Sequence, residues 1–352
     1  MVKFLKPEFV RLPPMPTIDN LLTLYGINAV KRLSQNFLYN KFAMGKFVKA
    51  AQNIKNCLVC EIGPGPGGIT REIINAQPKQ VLLIEKDERF RPVLESLSAA
   101  ARPLCPVDTI YADILGFNLE PHIDVSYKRD WNDMPPNIQL IGNLPFDIST
   151  TLIVQWAKDI SLRRNVWSMG RVKMTLAFQK EVGERLVAPI LSRQRCRLSV
   201  MLQNYCSIKH NFDIPRNCFK PTPDVDASVI SFIPWITPVI QHPFEMIEKV
   251  VRTIFSSRQK YVQFGVGNLF PETVTTQLAK EVFAISEIDP QARPFQLTIE
   301  EFGRIVDAYK KICDRDPRLF HYNFRADKKT REIGYEDLHE NLEGQQLDGP
   351  LR

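Results

Sequence analysis

No apolar run in this sequence reaches the ~18 residues that a membrane-spanning helix needs, so the chain is expected to be soluble with no membrane partner. Cysteine is sparse: seven in 352 residues, an odd number, scattered, with no secretory signal ahead of them. That excludes a disulfide framework and predicts reduced thiols. Cys57 and Cys60 form a C-x-x-C, but no second pair follows at zinc-site spacing and both sit in the apolar run Cys57–Ile62, so a buried strand is expected and no metal. There is no internal repeat, and no exposed apolar heptad, which predicts a monomer. The first residues, with Lys3, Lys6 and Arg11 against Glu8, are too short and proline-broken a basic stretch to identify a transit peptide. Acid is in deficit, 39 Asp and Glu against 46 Lys and Arg, and the resulting charge of +7 favours a polyanionic partner. What is present is an ordinary globular composition, 44% hydrophobic and 24% charged, long enough for two domains.

From about residue 57 to 180, short apolar runs alternate with helical patterns, the arrangement of a parallel sheet with crossover helices. Strands are predicted at Cys57–Ile62, Gln80–Glu85, Thr109–Tyr111, Ile138–Ile141 and Val172–Phe178. Helices are predicted near 67–76, 87–99, 148–160 and 180–188, and the whole is a Rossmann-like α/β core. Ahead of it Thr17–Lys31 and Lys41–Asn53 look helical, joined by a loop, Leu33-Ser-Gln-Asn-Phe-Leu38. After it Arg197–Gln203 and Ala227–Ile233 read as strands flanking the proline-rich turn Phe219-Lys-Pro-Thr-Pro223. Beyond about 240, Phe244, Ile247, Val251, Ile254 and Phe255 recur at helical spacing, as do Ile299, Phe302, Val306 and Tyr309. The expected organisation is an N-terminal helical segment with a loop (1–55), an α/β domain (56–238), a small α-helical domain (239–322) and a polar, mobile tail (323–352).

The most informative segment is Glu61-Ile-Gly-Pro-Gly-Pro-Gly-Gly-Ile-Thr70, a glycine turn after a strand and before a helix. Glycines 63, 65 and 67 permit positive φ and let the backbone approach a ligand. Dinucleotide enzymes use a similar turn, so the turn alone leaves that reading open. Glu85 ends the next strand, twenty-two positions after Gly63, where a carboxylate can accept from ribose hydroxyls. Asp113 closes the third strand, where it could accept from an adenine amino group, and Asn143 closes the fourth. All four fall at the carboxyl ends of successive strands, the ligand-binding edge of such sheets.

Asn143-Leu-Pro-Phe146 discriminates the chemistry. It is of the Asn-Pro-Pro-Tyr type, suited to methylating an amine conjugated to a planar ring, whose lone pair is delocalised. The Asn143 side-chain oxygen and the Leu144 carbonyl can accept both amine N–H bonds, while Phe146 offers a stacking face to a base held flat.

These segments, with Phe178-Gln-Lys-Glu-Val182, Arg197-Leu-Ser-Val200 and Phe219-Lys-Pro-Thr-Pro-Asp-Val225, resemble the ribosomal RNA adenine N6,N6-dimethyltransferase family over roughly residues 12 to 320. Arg11-Leu-Pro-Pro-Met-Pro-Thr17, a Trp-containing insert Tyr127–Pro136, and Phe146 in place of a more widespread tyrosine point to its mitochondrial branch. The resemblance implies a class I S-adenosylmethionine methyltransferase core with a small C-terminal helical domain, acting in the mitochondrial matrix. The substrate it implies is two adjacent adenines in the 3′-terminal hairpin loop of small-subunit rRNA, each dimethylated, with the assembling mitochondrial small subunit as partner and the mitochondrial transcription machinery as a further one. By position, Gln35, Asn36, Leu38, Gly63 and Gly65 would line the cofactor, Glu85 and Lys86 its ribose, Asp113 and Ile114 its adenine. Asn143 would touch both cofactor and target amine, and Phe219 would stack on the other face of the target base.

RNA would be gripped through phosphate charge, with Lys31-Arg32, Arg193 to Arg197, Arg258 and Lys260 as candidates. Two other readings stay open: a scaffold for transcription or ribosome assembly on the same fold, and a methyltransferase for DNA adenine or a protein glutamine.

Overall fold

The computed structural model describes residues 12–17, 20, 36–327, 334, 335 and 338. Most of the predicted helix Thr17–Lys31, the basic pair Lys31-Arg32, Gln35 and most of the polar tail lie outside the described residues. The chain divides into two compact units, one running to Val187 and resuming at Cys206–Ile236, the other comprising Ala188–Tyr205 and the residues from Thr237 on.

The first unit begins with the two-residue strand β1 (Phe37–Leu38) and helix α1 (Lys41–Ala50), whose Asn40 N-cap accepts from the Ala43 N–H at 2.9 Å. The core follows as β2 (Leu58–Ile62), α2 (Gly68–Asn75), β3 (Gln80–Glu85), α3 (Arg91–Ala101), β4 (Val107–Tyr111), β5 (Ile138–Asn143), α4 (Phe146–Ser161), β6 (Lys173–Gln179) and α5 (Lys180–Val187). Strands β2 to β6 are mutually parallel in the order β4-β3-β2-β5-β6, with Cys60 opposite Leu82 on one side and Leu140 on the other. Every residue of β2 is buried, which is why a central parallel strand reads as a continuous apolar run. Cys57 and Cys60 are accordingly buried free thiols.

Two antiparallel strands complete the sheet: β9 (Ala227–Pro234) beside β6, and β7 (Cys206–Ile214) at the edge. A short strand, β8 (Phe219–Lys220), pairs instead with β1, setting Leu38 opposite Phe219. The Trp-containing insert is tied down by the Trp131 indole, which donates to the carbonyls of Trp235 and Ile236 at 3.2 and 2.9 Å.

Some elements depart from expectation: the predicted loop Leu33–Leu38 and the proline-rich turn hold the paired strands β1 and β8. Arg197–Gln203 is not a strand but lies in helix α6 (Arg197–Tyr205), in the second unit. Seven of its nine residues are buried, and a short helix covered nearly all round loses the polar face that marks helical period. The strand nearby is β7, hidden from the pattern because its edge position exposes Lys209 and His210. Arg195, offered as an RNA contact, is 1% exposed and donates to the carbonyls of Ala188 and Leu297, both at 3.2 Å. Its guanidinium is an internal brace of the second unit.

The rest of the second unit is helical: α7 (Phe244–Ile254), α8 (Val262–Gly267), α9 (Thr275–Ser286), α10 (Ile299–Arg315) and α11 (Arg318–His321). The stripe Phe244, Ile247, Val251 and Ile254 is buried, as are Phe302, Val306 and Tyr309. A reciprocal cap starts α10: the Thr298 hydroxyl accepts from the Glu301 N–H at 3.0 Å and the Glu301 carboxylate from the Thr298 N–H at 2.8 Å. Among the described residues no helix is long and apolar enough to cross a membrane, and no cluster of side chains could hold a metal ion.

Candidate active site

The cleft is built at the carboxyl ends of β2, β3 and β5. Gly63, Gly65 and Gly67 take φ of +67°, +53° and +78°, so the chain turns from β2 into α2 through three left-handed residues. The two that line the cleft differ in what surrounds them. A Cβ on Gly65 would stand 2.9 Å from the Phe37 ring, whereas a Cβ on Gly63 meets nothing within 4 Å. The space beside Gly63 is therefore open to a ligand.

Glu85 ends β3 with 4% of its surface exposed. Its two carboxylate oxygens accept from the Gly65 N–H at 2.9 Å and the Asp87 N–H at 2.8 Å, fixing the side chain across the glycine turn. Burial pushes its pKa up, opposed by those N–H donors. Glu61, inside the central strand β2 and 1% exposed, is pushed up to about 8 by burial, with the nearby Glu85 charge adding to the shift.

Asn143 ends β5. Gly142 before it lets that strand lie close to β2, since a Cβ there would stand 2.9 Å from the Ile62 carbonyl. The Asn143 amide nitrogen donates to the Asn36 carbonyl at 3.0 Å. That bond assigns the amide orientation and leaves the side-chain oxygen as the acceptor. Pro145 is extended (φ −55°, ψ 131°) and Phe146 begins α4, so the strand gives way to a helix within three residues of Asn143. The Leu144 side chain is 2% exposed, and what it can present to a ligand is its carbonyl.

Asn36, Gly63, Gly65, Glu85, Asn143, Leu144 and Phe146 thus meet around one cleft enclosing about 450 Å³ of empty space, counted out to its open mouth. Phe37 and Pro145 line it too and were missed. Phe37 packs edge-on to Phe90 at 5.4 Å, and its signal was its place inside the stretch Leu33–Leu38.

The remaining candidates among the described residues are not part of that lining. Lys86 and Asp113 form an exposed ion pair at 2.7 Å, and Asp113 also accepts from the Leu115 N–H at 3.1 Å. The Lys86 hydrogen bond holds Asp113 below the usual carboxylate range. Ile114 is buried. Leu38 and Phe219 both belong to the hydrophobic core beneath the cleft, at 4% and 0% exposure. Phe219 therefore presents no ring face to a base in this structure. It was placed at the site by position alone, and burial against that core takes its ring away.

A model of the family described as Ribosomal RNA adenine dimethylase matches residues 26–311. The chain belongs to the ribosomal RNA adenine dimethylase family. This dimethylase-family chain is 46% identical to dimethyladenosine transferase 1, mitochondrial, of Homo sapiens, over 94% of its length and 95% of the relative's. It is 44% identical to the protein of that name from Drosophila melanogaster, over 92% and 96%. Among solved structures, a dimethyladenosine transferase from Plasmodium falciparum aligns with TM-score 0.57 at 20% identity, covering 78% of this chain and 98% of that one. The 23S rRNA methyltransferase ErmE aligns with TM-score 0.53 at 20% identity, covering 78% and 100%. These likenesses show that the chain shares its fold with those two proteins.

Proposed function

We propose that this protein dimethylates the exocyclic amines of two adjacent adenines in the 3′-terminal hairpin loop of mitochondrial small-subunit rRNA, using S-adenosylmethionine, within the mitochondrial matrix. Family membership and near-full-length identity to mitochondrial dimethyladenosine transferases support this reading. The single observation that carries the chemistry is the convergence of Asn143, Leu144 and Phe146 with the glycine turn on one cleft.

The cleft suits S-adenosylmethionine: left-handed glycines with open space at Gly63, and a buried carboxylate at Glu85 that retains lone pairs beyond its two backbone bonds. S-adenosylmethionine supplies the methyl group from its sulfonium sulfur. Glu85 would accept from the ribose hydroxyls. Lys86 pairs with Asp113 and fixes the carboxylate that would accept from the cofactor's adenine amine, while Ile114, Asn36 and Leu38 would complete the cofactor's surroundings.

Adenine N6 is a poor nucleophile because its lone pair is shared with the ring. The Asn143 side-chain oxygen and the Leu144 carbonyl accept its two N–H bonds, drawing the lone pair back onto nitrogen and orienting it. With the lone pair so oriented, the amine would be placed to take the methyl group that bound S-adenosylmethionine would supply, its proton passing to water. Phe146 stacks on the base; stacking needs only the ring, so the missing tyrosine hydroxyl costs nothing essential. Phe219 contributes through its backbone pairing with Leu38 rather than its ring. The helical unit receives the RNA stem, and the assembling small subunit is the setting of the reaction.

The test is transfer of radiolabelled methyl from S-adenosylmethionine to a small-subunit rRNA 3′ hairpin, with and without its two loop adenines. Adenine-dependent labelling supports the proposal; tight hairpin binding with no labelling overturns it in favour of a scaffold.

A further inference from the structure

Arg71 lies in α2, one turn past the glycines, and is 9% exposed. A buried guanidinium needs acceptors for its N–H groups, and here four backbone carbonyls supply them. Within the glycine turn it donates from one terminal nitrogen to Pro66 at 2.9 Å and Gly67 at 2.6 Å. Toward the N-terminus it donates through Nε to Pro13 at 3.0 Å and through the other terminal nitrogen to Pro14 at 3.4 Å. Prolines suit that role, since they offer carbonyls without competing N–H groups and hold φ near −65° in an extended arm.

The same arm has a second anchor. The Tyr39 hydroxyl donates to the Pro16 carbonyl at 3.3 Å, and Leu12 and Met15 pack on the hydrophobic core beneath the cleft. Tyr39 directly follows Leu38 in the segment whose Asn36 and Phe37 line the cleft, while Arg71 grips the turn that carries Gly63 and Gly65. One short stretch of backbone is thereby bonded to both walls.

We propose that the proline-rich arm 12–17 is a staple between the glycine turn and the Asn36–Asn40 loop, and that Arg71, through it, is a positioning residue for cofactor binding. The inference rests on the reading of the cleft as the S-adenosylmethionine site. A turn with three left-handed glycines has many conformations to lose, and the staple removes that loss from the binding step.

The experiment is calorimetric titration of S-adenosylmethionine into wild type, Arg71→Met, Arg71→Lys, Tyr39→Phe and the Arg71→Met/Tyr39→Phe double variant, with KM measured for cofactor and hairpin separately. Arg71→Met is expected to raise the cofactor Kd about tenfold, on the scale of one backbone residue left to be ordered on binding. Tyr39→Phe is expected to raise it about threefold, and the double variant by less than the product, because both residues act on one arm. Arg71→Lys, which keeps the charge but not the fork, recovers part of the loss. The hairpin KM stays at its wild-type value throughout. An unchanged cofactor Kd in folded Arg71→Met, or penalties that multiply, overturns the staple. If Arg71→Met does not fold, Tyr39→Phe decides alone: a raised Kd supports the staple and an unchanged one overturns it. Gly63→Arg run alongside separates the two readings, since normal cofactor binding in that variant would sink the cleft assignment itself.

Discussion

The side-chain amide of Asn143 donates to the backbone carbonyl of Asn36, 107 positions earlier in the chain, at 3.0 Å. That bond commits the amide nitrogen, so the oxygen is the atom left to face a target amine. It also ties the end of β5 to the loop on the far side of the cleft.

Replacing Asn143 with Ala removes both the acceptor and this tie. Methyl transfer is expected to fall by about 10²–10³-fold or more, the scale for losing one preorganised polar group at the reacting centre. Hairpin affinity should be retained. Single-turnover labelling alongside a filter-binding titration measures the two separately, and near-normal labelling would remove Asn143 from the mechanism.

Gly63 gives a graded pair. Gly63→Ala has free space for its methyl but a φ of +67°, so only the left-handed strain remains, about 1–2 kcal/mol of stability. Gly63→Arg carries the same strain and also fills the cleft, and is expected to abolish cofactor binding. Thermal unfolding and cofactor titration of both variants check this; equal affinities would mean that the open space is not where the cofactor sits.

Glu85→Ala leaves the Gly65 and Asp87 N–H groups without their acceptor and removes the carboxylate from the ribose edge. A loss of roughly 1–3 kcal/mol in S-adenosylmethionine affinity is expected, the scale for a buried charged hydrogen-bond partner. Calorimetry reads it directly, and unchanged affinity excludes the ribose role.

Glu61 makes stability depend on pH. Its folded pKa, pushed up to about 8 by burial, lies above the ordinary carboxylate value, so the folded state holds a proton that the unfolded chain has released. Between those two values the folded state binds more protons, and stability falls as pH rises. Glu61→Gln carries no such proton and should flatten the decline in melting temperature between about pH 5 and pH 8. Parallel melting curves for wild type and variant would refute the buried-acid account.

Much of the α/β core was legible because its signals are local. A strand buried on both faces must be apolar along its length, and β3 runs from Gln80 to Glu85, the limits read from the sequence. The glycine turn was legible because left-handed backbone leaves little choice of residue. Helix α6 was not, since burial on nearly every side erased its period. Nor was Phe37, whose place in the cleft depends on what packs behind it.

The sequence by itself therefore determined the succession of strands and helices in the parallel core, the turn chemistry and the family, all set by neighbours along the chain. Tertiary structure alone decided which residues share a cleft: it brought Asn36 to Asn143, joined Arg71 to the carbonyls of Pro13 and Pro14, and sank the Phe219 ring into the core. The physical reason is that hydrogen-bond partners and burial are settled by packing between segments distant in sequence, which local pattern does not encode.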